Sequence, residues 1–114
     1  MEIKISGLQQ NPTIKLVQFN GVLDLLASKE VSRRLFPAIE EGSAFLVVDL
    51  TNLEYINSSG IYSLMECYAK TKERGGYLKL FSANGRVKEI LELVGITKVI
   101  PLFDTLEEAI IAPI

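Results

Sequence analysis

The segment YINSSGIYSL, residues 55–64, holds the side chains whose types and spacing come closest to a chemical site. Two adjacent hydroxyl residues, Ser58 and Ser59, lie there between Asn57 and Gly60, where an apolar run meets a predicted helix start. Asn, Ser and Gly are residues that helix capping alone selects. A helix N-terminus also presents unpaired backbone N–H groups and partial positive charge, which suit an anion. The segment is therefore either a structural cap or a place where another molecule acts on the protein.

Nucleophilic catalysis by Ser58 or Ser59 is the first chemical alternative, and it needs a base to activate the hydroxyl. The sequence contains no histidine and one cysteine, Cys67, which removes disulfide frameworks, ordinary zinc sites and histidine-dependent triads. Only a lysine or a carboxylate could activate either serine, so a small hydrolase is the weaker hypothesis. Cys67 lacks the usual activator and is expected to pack in the core. We expect no enzymatic activity, metal or cofactor.

Composition narrows the class of protein further. The 114 residues are 48% hydrophobic and 23% charged, which predicts one compact domain over residues 1–114. No apolar run approaches the roughly 20 residues that span a bilayer, and MEIKIS lacks the apolar centre of a secretion signal, so a cytoplasmic location away from membranes is expected. A net charge of −2 with no basic stripe argues against nucleic acid as a partner.

The first half of the chain predicts two strands, a long helix and a central strand. Residues 2–6 and 14–20 suggest a hairpin around the Gln-Asn-Pro turn at 10–12. Residues 20–44 predict one long helix, in which Pro37 should cause a kink near Arg33 or a break into two pieces. FLVVDL, residues 45–50, is typical of a strand covered on both faces. The apolar positions assigned to the long helix are Leu25, Leu26, Val31, Leu35, Phe36 and Ile39.

The second half predicts helices that alternate with strands. A helix after Ser58 should end at Gly75-Gly76, and a strand follows at 77–83. Asn84 can cap a third helix that Gly95 ends, residues 98–103 suggest a short strand, and Asp104 with Glu107 suggests a capping box for a last helix. The apolar stripe expected on the second helix is Ile61, Leu64, Met65 and Tyr68, and that on the third is Val87, Ile90, Leu91 and Val94.

Alternating strands and helices predict an α/β fold. The expected architecture is a mostly parallel or mixed sheet of four to five strands with about four helices packed on it. TNLEYINSSG, residues 51–60, then links the carboxyl end of the central strand to a helix N-terminus. Functional sites gather at this edge of open α/β sheets.

Residues 47–110 resemble the sulfate transporter and anti-sigma factor antagonist (STAS) domain in its stand-alone bacterial form. NGVLD at 20–24 resembles the early Gly-x-Leu-Asp element of that family, and LELVGI at 91–96 is followed by an apolar strand and a terminal helix with an acidic start, as in the family. The resemblance covers nearly the whole chain, and its signals occur in the family order. It implies a STAS-like fold.

The resemblance also implies a function as an anti-sigma factor antagonist in a partner-switching pathway. In the family motif, Asp-Ser-Ser-Gly or Asp-Ser-Thr-Gly, the first hydroxyl residue is phosphorylated, which here is Ser58. The implied partners are an anti-sigma factor that is also a serine kinase of the histidine-kinase-like ATPase type, and a PP2C-type phosphatase that resets the switch. The partner-binding residues inferred by position are Asp24, Asn57, Ser59, Gly60, Ile61 and Tyr62.

Two positions depart from the family pattern. Asn57 stands where the family has Asp; it should cap a helix equally well, but it removes a charge beside Ser58. This favours an alternative, a STAS scaffold in a larger signalling or transport assembly that is never phosphorylated. Tyr62 stands where many relatives have a small residue, and it either belongs to the partner surface or packs beside Tyr55.

Asp24 and Ser59 each have two interpretations. Asp24 is expected to cap the long helix, and the resemblance places it near Ser58 and the kinase contact. Ser59 is a second cap or an alternative phosphoacceptor.

Overall fold

Strands and helices alternate along residues 1–113, the part of the chain that the computed structural model describes. This range contains six strands, four α-helices and one 3-10 helix, which confirms the α/β class and adds one strand to the expected maximum of five. The strands are β1 (Glu2–Gly7), β2 (Ile14–Leu23), β3 (Phe45–Asp49), β4 (Leu53–Ile56), β5 (Tyr77–Phe81) and β6 (Leu102–Phe103). The α-helices are α1 (Leu25–Glu40), α2 (Ser58–Glu73), α3 (Gly85–Leu93) and α4 (Leu106–Ile111), and the 3-10 helix is Ile96–Lys98.

The sheet is mixed and has the order β1-β2-β3-β5-β6. β1 is antiparallel to β2, which confirms the predicted N-terminal hairpin, and the remaining pairs are parallel. β2 is ten residues long and pairs with β3 along its first half, while its last residues pair with the short strand β4. β2 therefore connects the main sheet to the segment that carries the predicted site.

Two apolar cores lie on opposite faces of the sheet. The larger core joins the sheet to α1, α2 and α3, and the smaller core lies under α4. In β3, Leu46 and Val48 belong to the larger core, whereas Val47 belongs to the smaller one. This confirms the prediction that the central strand is covered on both faces.

Helix α1 begins later than the sequence suggests, because β2 continues through residues 20–23. Its buried positions are spaced by four residues, and Leu25 and Leu26 lie outside that stripe with exposed side chains. The helix is continuous through Pro37, so the alternative of two separate pieces is wrong. Pro37 lies in the last turn and interrupts only the end of the hydrogen-bond ladder. The large apolar residues buried on α1 are Val31, Leu35 and Ile39.

Three further expectations are corrected. Met65 is exposed, so the buried face of α2 runs through Leu64, Cys67 and Thr71 instead. The strand expected at 98–103 is reduced to the two residues of β6, because the chain first forms a 3-10 turn. The cap of α4 is Thr105, whose hydroxyl accepts a hydrogen bond from the Glu108 N–H at 3.2 Å, rather than Asp104.

The predicted boundaries of α3 are confirmed. The side chain of Asn84 accepts a hydrogen bond from the Val87 N–H at 2.9 Å. Gly95 adopts the left-handed conformation with φ of 80°, which suits a glycine after a helix end.

A buried lysine attaches α4 to the sheet. Lys79 of β5 is 1% exposed, and its ammonium donates to the carbonyl oxygens of Ala109 at 2.8 Å and Ala112 at 2.9 Å. A cation at the C-terminal end of a helix satisfies free carbonyl groups and complements the helix dipole. Burial, and to a smaller extent the charge of Lys72, lowers the pKa of Lys79. The two carbonyl contacts therefore compensate for the removal of this ammonium group from water.

Replacement of Lys79 by methionine tests this attachment. Lys79→Met keeps the apolar stem but leaves two helix-end carbonyls without their donor, so the free energy of unfolding should fall by about 1–3 kcal/mol. Amide hydrogen exchange should accelerate in residues 106–111 more than in β3. Lys98→Met, a change at an exposed lysine, is the matched control and should leave the thermal melt nearly unchanged. Equal melts for the two variants would contradict the role assigned to Lys79.

Candidate functional site

The site is built where two parallel strands end side by side. Leu23, the last residue of β2, pairs with Ile56, the last residue of β4. Each strand is followed at once by a helix cap, Asp24 for α1 and Asn57 for α2. The backbone N–H of Asn57 donates to the carbonyl of Leu23 at 3.2 Å and joins the two strand ends. The structure therefore places Asp24 and Asn57 at neighbouring positions on one edge of the fold.

The first turn of α2 presents Ser58 to solvent. The side-chain Oδ1 of Asn57 accepts a hydrogen bond from the Gly60 N–H at 3.1 Å, and its backbone carbonyl accepts one from the Ile61 N–H at 3.0 Å. Asn57 is thus the helix cap, as the sequence predicts. Ser58 is the first residue of the helix and is exposed, whereas Ser59 is half-buried. A hydroxyl at this position is accessible to another protein and lies at the positive end of the helix dipole.

Gly60 lets α2 begin close to the end of β2. A Cβ atom on Gly60 would lie 2.5 Å from the carbonyl oxygen of Leu23 and 2.7 Å from Cγ1 of Ile56. These distances are far shorter than van der Waals contact, so any side chain would displace the helix start. Gly60 is buried, and its predicted place at a partner interface is therefore as a residue that positions Ser58.

Asp24 has the capping role that was expected of it. Its carboxylate accepts a hydrogen bond from the Ala27 N–H at 3.0 Å, and its carbonyl accepts one from the Ser28 hydroxyl at 2.7 Å. The side chain is half-buried at the start of α1, one position beyond the Leu23–Ile56 pair. It is the acidic residue at the strand end adjoining that of Asn57.

Exposed apolar side chains surround this edge, and we call them the apolar rim. Its members come from the end of β2, the first turn of α1, β4 and the outer face of α2. Ser58, Tyr62 and Met65 follow the helical spacing of one face, and Tyr62 is 65% exposed. The sequence from Asn57 to Met65 contains no charged residue. The rim consists of Val22, Leu25, Leu26, Tyr55, Tyr62 and Met65.

The remaining candidate residues lie beside the rim. Ile61 is partly buried and packs against the larger core. Tyr55 is held by a cation–π contact, in which the guanidinium of Arg86 lies 4.9 Å from the ring centroid. Tyr62 projects from the outer face of α2, which places it among the surface residues.

Cys67 and the residue types that bind metals were the other candidates for chemistry in the sequence. Cys67 is fully buried in the larger core, as predicted, and burial raises the pKa of its thiol to about 12. Among residues 1–113, no cluster of three or more Cys, Asp or Glu side chains is arranged to hold a metal ion. Within the same range, no helix has both the length and the apolar character needed to cross a membrane.

The family model of the STAS domain matches residues 7–109, nearly the whole chain. The chain belongs to the STAS domain family. This confirms the resemblance carried by the segments NGVLD and INSSG.

Individual STAS proteins show the same relationship. The chain is 26% identical over 98 residues to the anti-sigma F factor antagonist of Paenibacillus polymyxa, covering 85% of this chain and 84% of that protein. It is 25% identical over 95 residues to the anti-sigma-B factor antagonist of Bacillus subtilis, covering 83% of this chain and 86% of that protein.

The solved structures of the anti-sigma factor antagonist SpoIIAA share the fold. Its unphosphorylated form is 16% identical to this chain and gives a TM-score of 0.76, with 96% of this chain and 94% of that chain covered. The phosphorylated form of the Bacillus protein is 17% identical and gives a TM-score of 0.73, with 96% of each chain covered.

Sequence reasoning missed most of the rim around this STAS site. The sequence predicts a link where β4 forms, because a strand of four residues is too short to show a clear periodicity. The predicted apolar stripe of α1 includes Leu25 and Leu26, whereas both side chains are exposed. The signal that identifies them is the four-residue spacing of Val31, Leu35 and Ile39, which places both leucines outside the buried face. Nothing in the sequence indicated that Arg86 stacks on Tyr55.

The close approach at Gly60 gives a direct test of the site's construction. Gly60→Ala should lower the free energy of unfolding by about 1–3 kcal/mol, because the new methyl group meets the Leu23 carbonyl. Gly85→Ala is the matched control, since it also lies in a first helical turn and its Cβ would have no heavy atom within 4 Å. The control should change the stability by less than about 0.5 kcal/mol in chemical denaturation. Equal losses in both variants would contradict the steric account.

Proposed function

We propose that this STAS domain is a cytoplasmic anti-sigma factor antagonist whose apolar rim binds an anti-sigma factor that is also a serine kinase, and that phosphorylation of Ser58 ends this binding. The kinase would be of the histidine-kinase-like ATPase type, and a PP2C-type phosphatase would reset the switch. The observation that carries the proposal is an exposed hydroxyl at the start of α2, within a rim of exposed apolar side chains.

A phosphate on Ser58 would be tolerated within the domain. It brings a charge of about −1.5 to −2 and several acceptor oxygens. The amides of the first helical turn and the dipole of α2 favour a negative group there by about 0.3–2 kcal/mol. The first turn contains no acidic side chain that would repel it. The fold should therefore survive the modification.

The same phosphate would be unfavourable inside a protein interface. The surface next to Ser58 along α2 is uncharged as far as Met65, so the partner would bury apolar side chains around the hydroxyl. A charge buried there without a cation costs about 3 kcal/mol, or about a hundredfold in affinity. Phosphorylation would thus separate the partners while the domain stays folded.

The relatives support this proposal in two ways. Two of them are named as anti-sigma factor antagonists and align with most of this chain. SpoIIAA, which shares the fold, has been solved with and without phosphate, and this chain superposes on both forms with similar TM-scores. Retention of the fold in both forms agrees with the local tolerance argued above.

Asn57 favours a second candidate function. The family motif has Asp at this position, and an amide cannot supply the charge that would help a kinase to orient the hydroxyl or metal-bound ATP. A scaffold that binds partners without being phosphorylated would keep the cap and lose the switch. The two functions differ in whether Ser58 is ever modified.

Charge at Ser58 should control binding to the partner kinase. If a histidine-kinase-like ATPase is encoded beside this protein, Ser58→Ala should bind that ATPase at least as tightly as the wild type does. Ser58→Asp should weaken binding by about tenfold to a hundredfold, with an unchanged thermal melt. Ser6→Asp places the same charge on an exposed residue of β1 and is the matched control. Calorimetry measures the affinities, and wild-type affinity in Ser58→Asp would contradict the proposal.

Phosphorylation itself should depend on residue 57. With the same kinase, ATP and magnesium, mass spectrometry should detect one phosphate on the wild type and none on Ser58→Ala. Asn57→Asp should be phosphorylated faster and keep its stability, because Asp also caps helices. If Asn57→Asp is phosphorylated while the wild type never is, in vitro or in its own cell, the scaffold function is favoured instead.

A further inference from the structure

Strand β1 forms an open edge of the sheet in the described part of the chain. It pairs with β2 on one side, in the register that places Glu2 opposite Asn20 and Lys4 opposite Gln18. The N–H of Leu8 donates to Ile14 at 3.0 Å, which continues this register. In an antiparallel pair the direction of the backbone groups alternates. The backbone N–H and C=O groups of the even-numbered residues of β1 therefore point toward β2. Those of Ile3 and Ile5 point away from the sheet.

One side chain from the helix layer covers part of this edge. The guanidinium of Arg34, on α1, donates to the outward carbonyl oxygen of Ile3. The side chain of Ile3 is buried in the larger core, so Arg34 approaches the strand from the side of the helices. A positive charge at a strand edge is one of the ways in which proteins prevent edge-to-edge pairing.

We propose that Arg34 guards this edge, and that withdrawal of its guanidinium lets β1 pair with β1 of a second copy of this chain. Two β1 strands related by a two-fold axis would pair in the antiparallel sense. Their hydrogen bonds must use the outward backbone N–H and C=O groups, which belong to odd-numbered residues. The register with Ile3 opposite Ile3 of the second copy makes reciprocal hydrogen bonds through the carbonyl that Arg34 now occupies. Arg34 and the second copy therefore compete for one acceptor.

Charge complementarity selects this register over its neighbour. When Ile3 lies opposite Ile3 of the second copy, Glu2 of each chain lies opposite Lys4 of the other, so the register contains two pairs of opposite charge. A shift by two positions would instead place Lys4 opposite Lys4, which is unfavourable. Both side chains are exposed, and Glu2 now accepts only a 3.3 Å hydrogen bond from Asn20. The edge is thus complementary to itself in one register.

The test compares oligomeric state with and without the guanidinium. By light scattering after gel filtration, the wild type should be monomeric, and Arg34→Met, which keeps the stem and loses the donors, should show about a twofold higher mass at high protein concentration. Arg33→Met is the matched control, because Arg33 is exposed and pairs with the Glu30 side chain rather than with a carbonyl group of β1. A monomeric, folded Arg34→Met, or a wild type already dimeric, would overturn the proposal.

Charge exchange identifies the register. Adding Lys4→Glu to Arg34→Met places like charges opposite each other and should restore the monomer, and further addition of Glu2→Lys should restore the dimer. If these charge changes leave the oligomeric state of Arg34→Met unaltered, the dimer forms through another surface and the proposal is overturned.

Hydrogen exchange on the wild type needs no variant. The Ile5 amide should exchange much faster than those of Lys4 and Ser6, which face β2. If the Ile5 amide were as protected as those of Lys4 and Ser6, the edge would already be paired, and the role proposed for Arg34 would be excluded.

Discussion

The candidate site depends on the pairing of Leu23 with Ile56. Because two parallel strands stop at the same level, both following helices start at the same level, and their caps become neighbours. Gly60 makes this possible, since any side chain there would collide with the Leu23 carbonyl. The exposure of Ser58 and the positions of the rim residues on α1 and α2 follow from this close approach of α2 to the end of β2.

β2 connects these strand ends to the rest of the sheet. Its first half lies in the main sheet between β1 and β3, and its last residues belong to the pair with β4. Pairing with β3 ends at Gln18, and the register with β4 then shifts between Gly21 and Val22. The centre of the main sheet and the pairing that positions the candidate site thus both depend on one strand.

Much of this arrangement could be predicted from the sequence, because local chemistry determines it. Asn57, Asp24 and Asn84 act as caps through contacts within three residues, and the continuous apolar character of β3 reflects burial on both faces. Features that depend on distant partners were not predictable. β4 exists because the end of β2 offers it a pairing edge. Leu25 and Leu26 are exposed because α1 packs on the core through a different face, the one that carries Val31, Leu35 and Ile39.

The parallel course of α1 and α2 has an electrostatic consequence. Each helix directs the positive pole of its dipole to the same edge, so two such poles lie next to each other. The carboxylate of Asp24 neutralises the pole of α1, whereas the neutral amide of Asn57 leaves that of α2 uncompensated. The substitution Asn57→Asp would add one negative charge there. The start of α2 therefore presents an approaching anion with a more positive potential than it would in the Asn57→Asp variant.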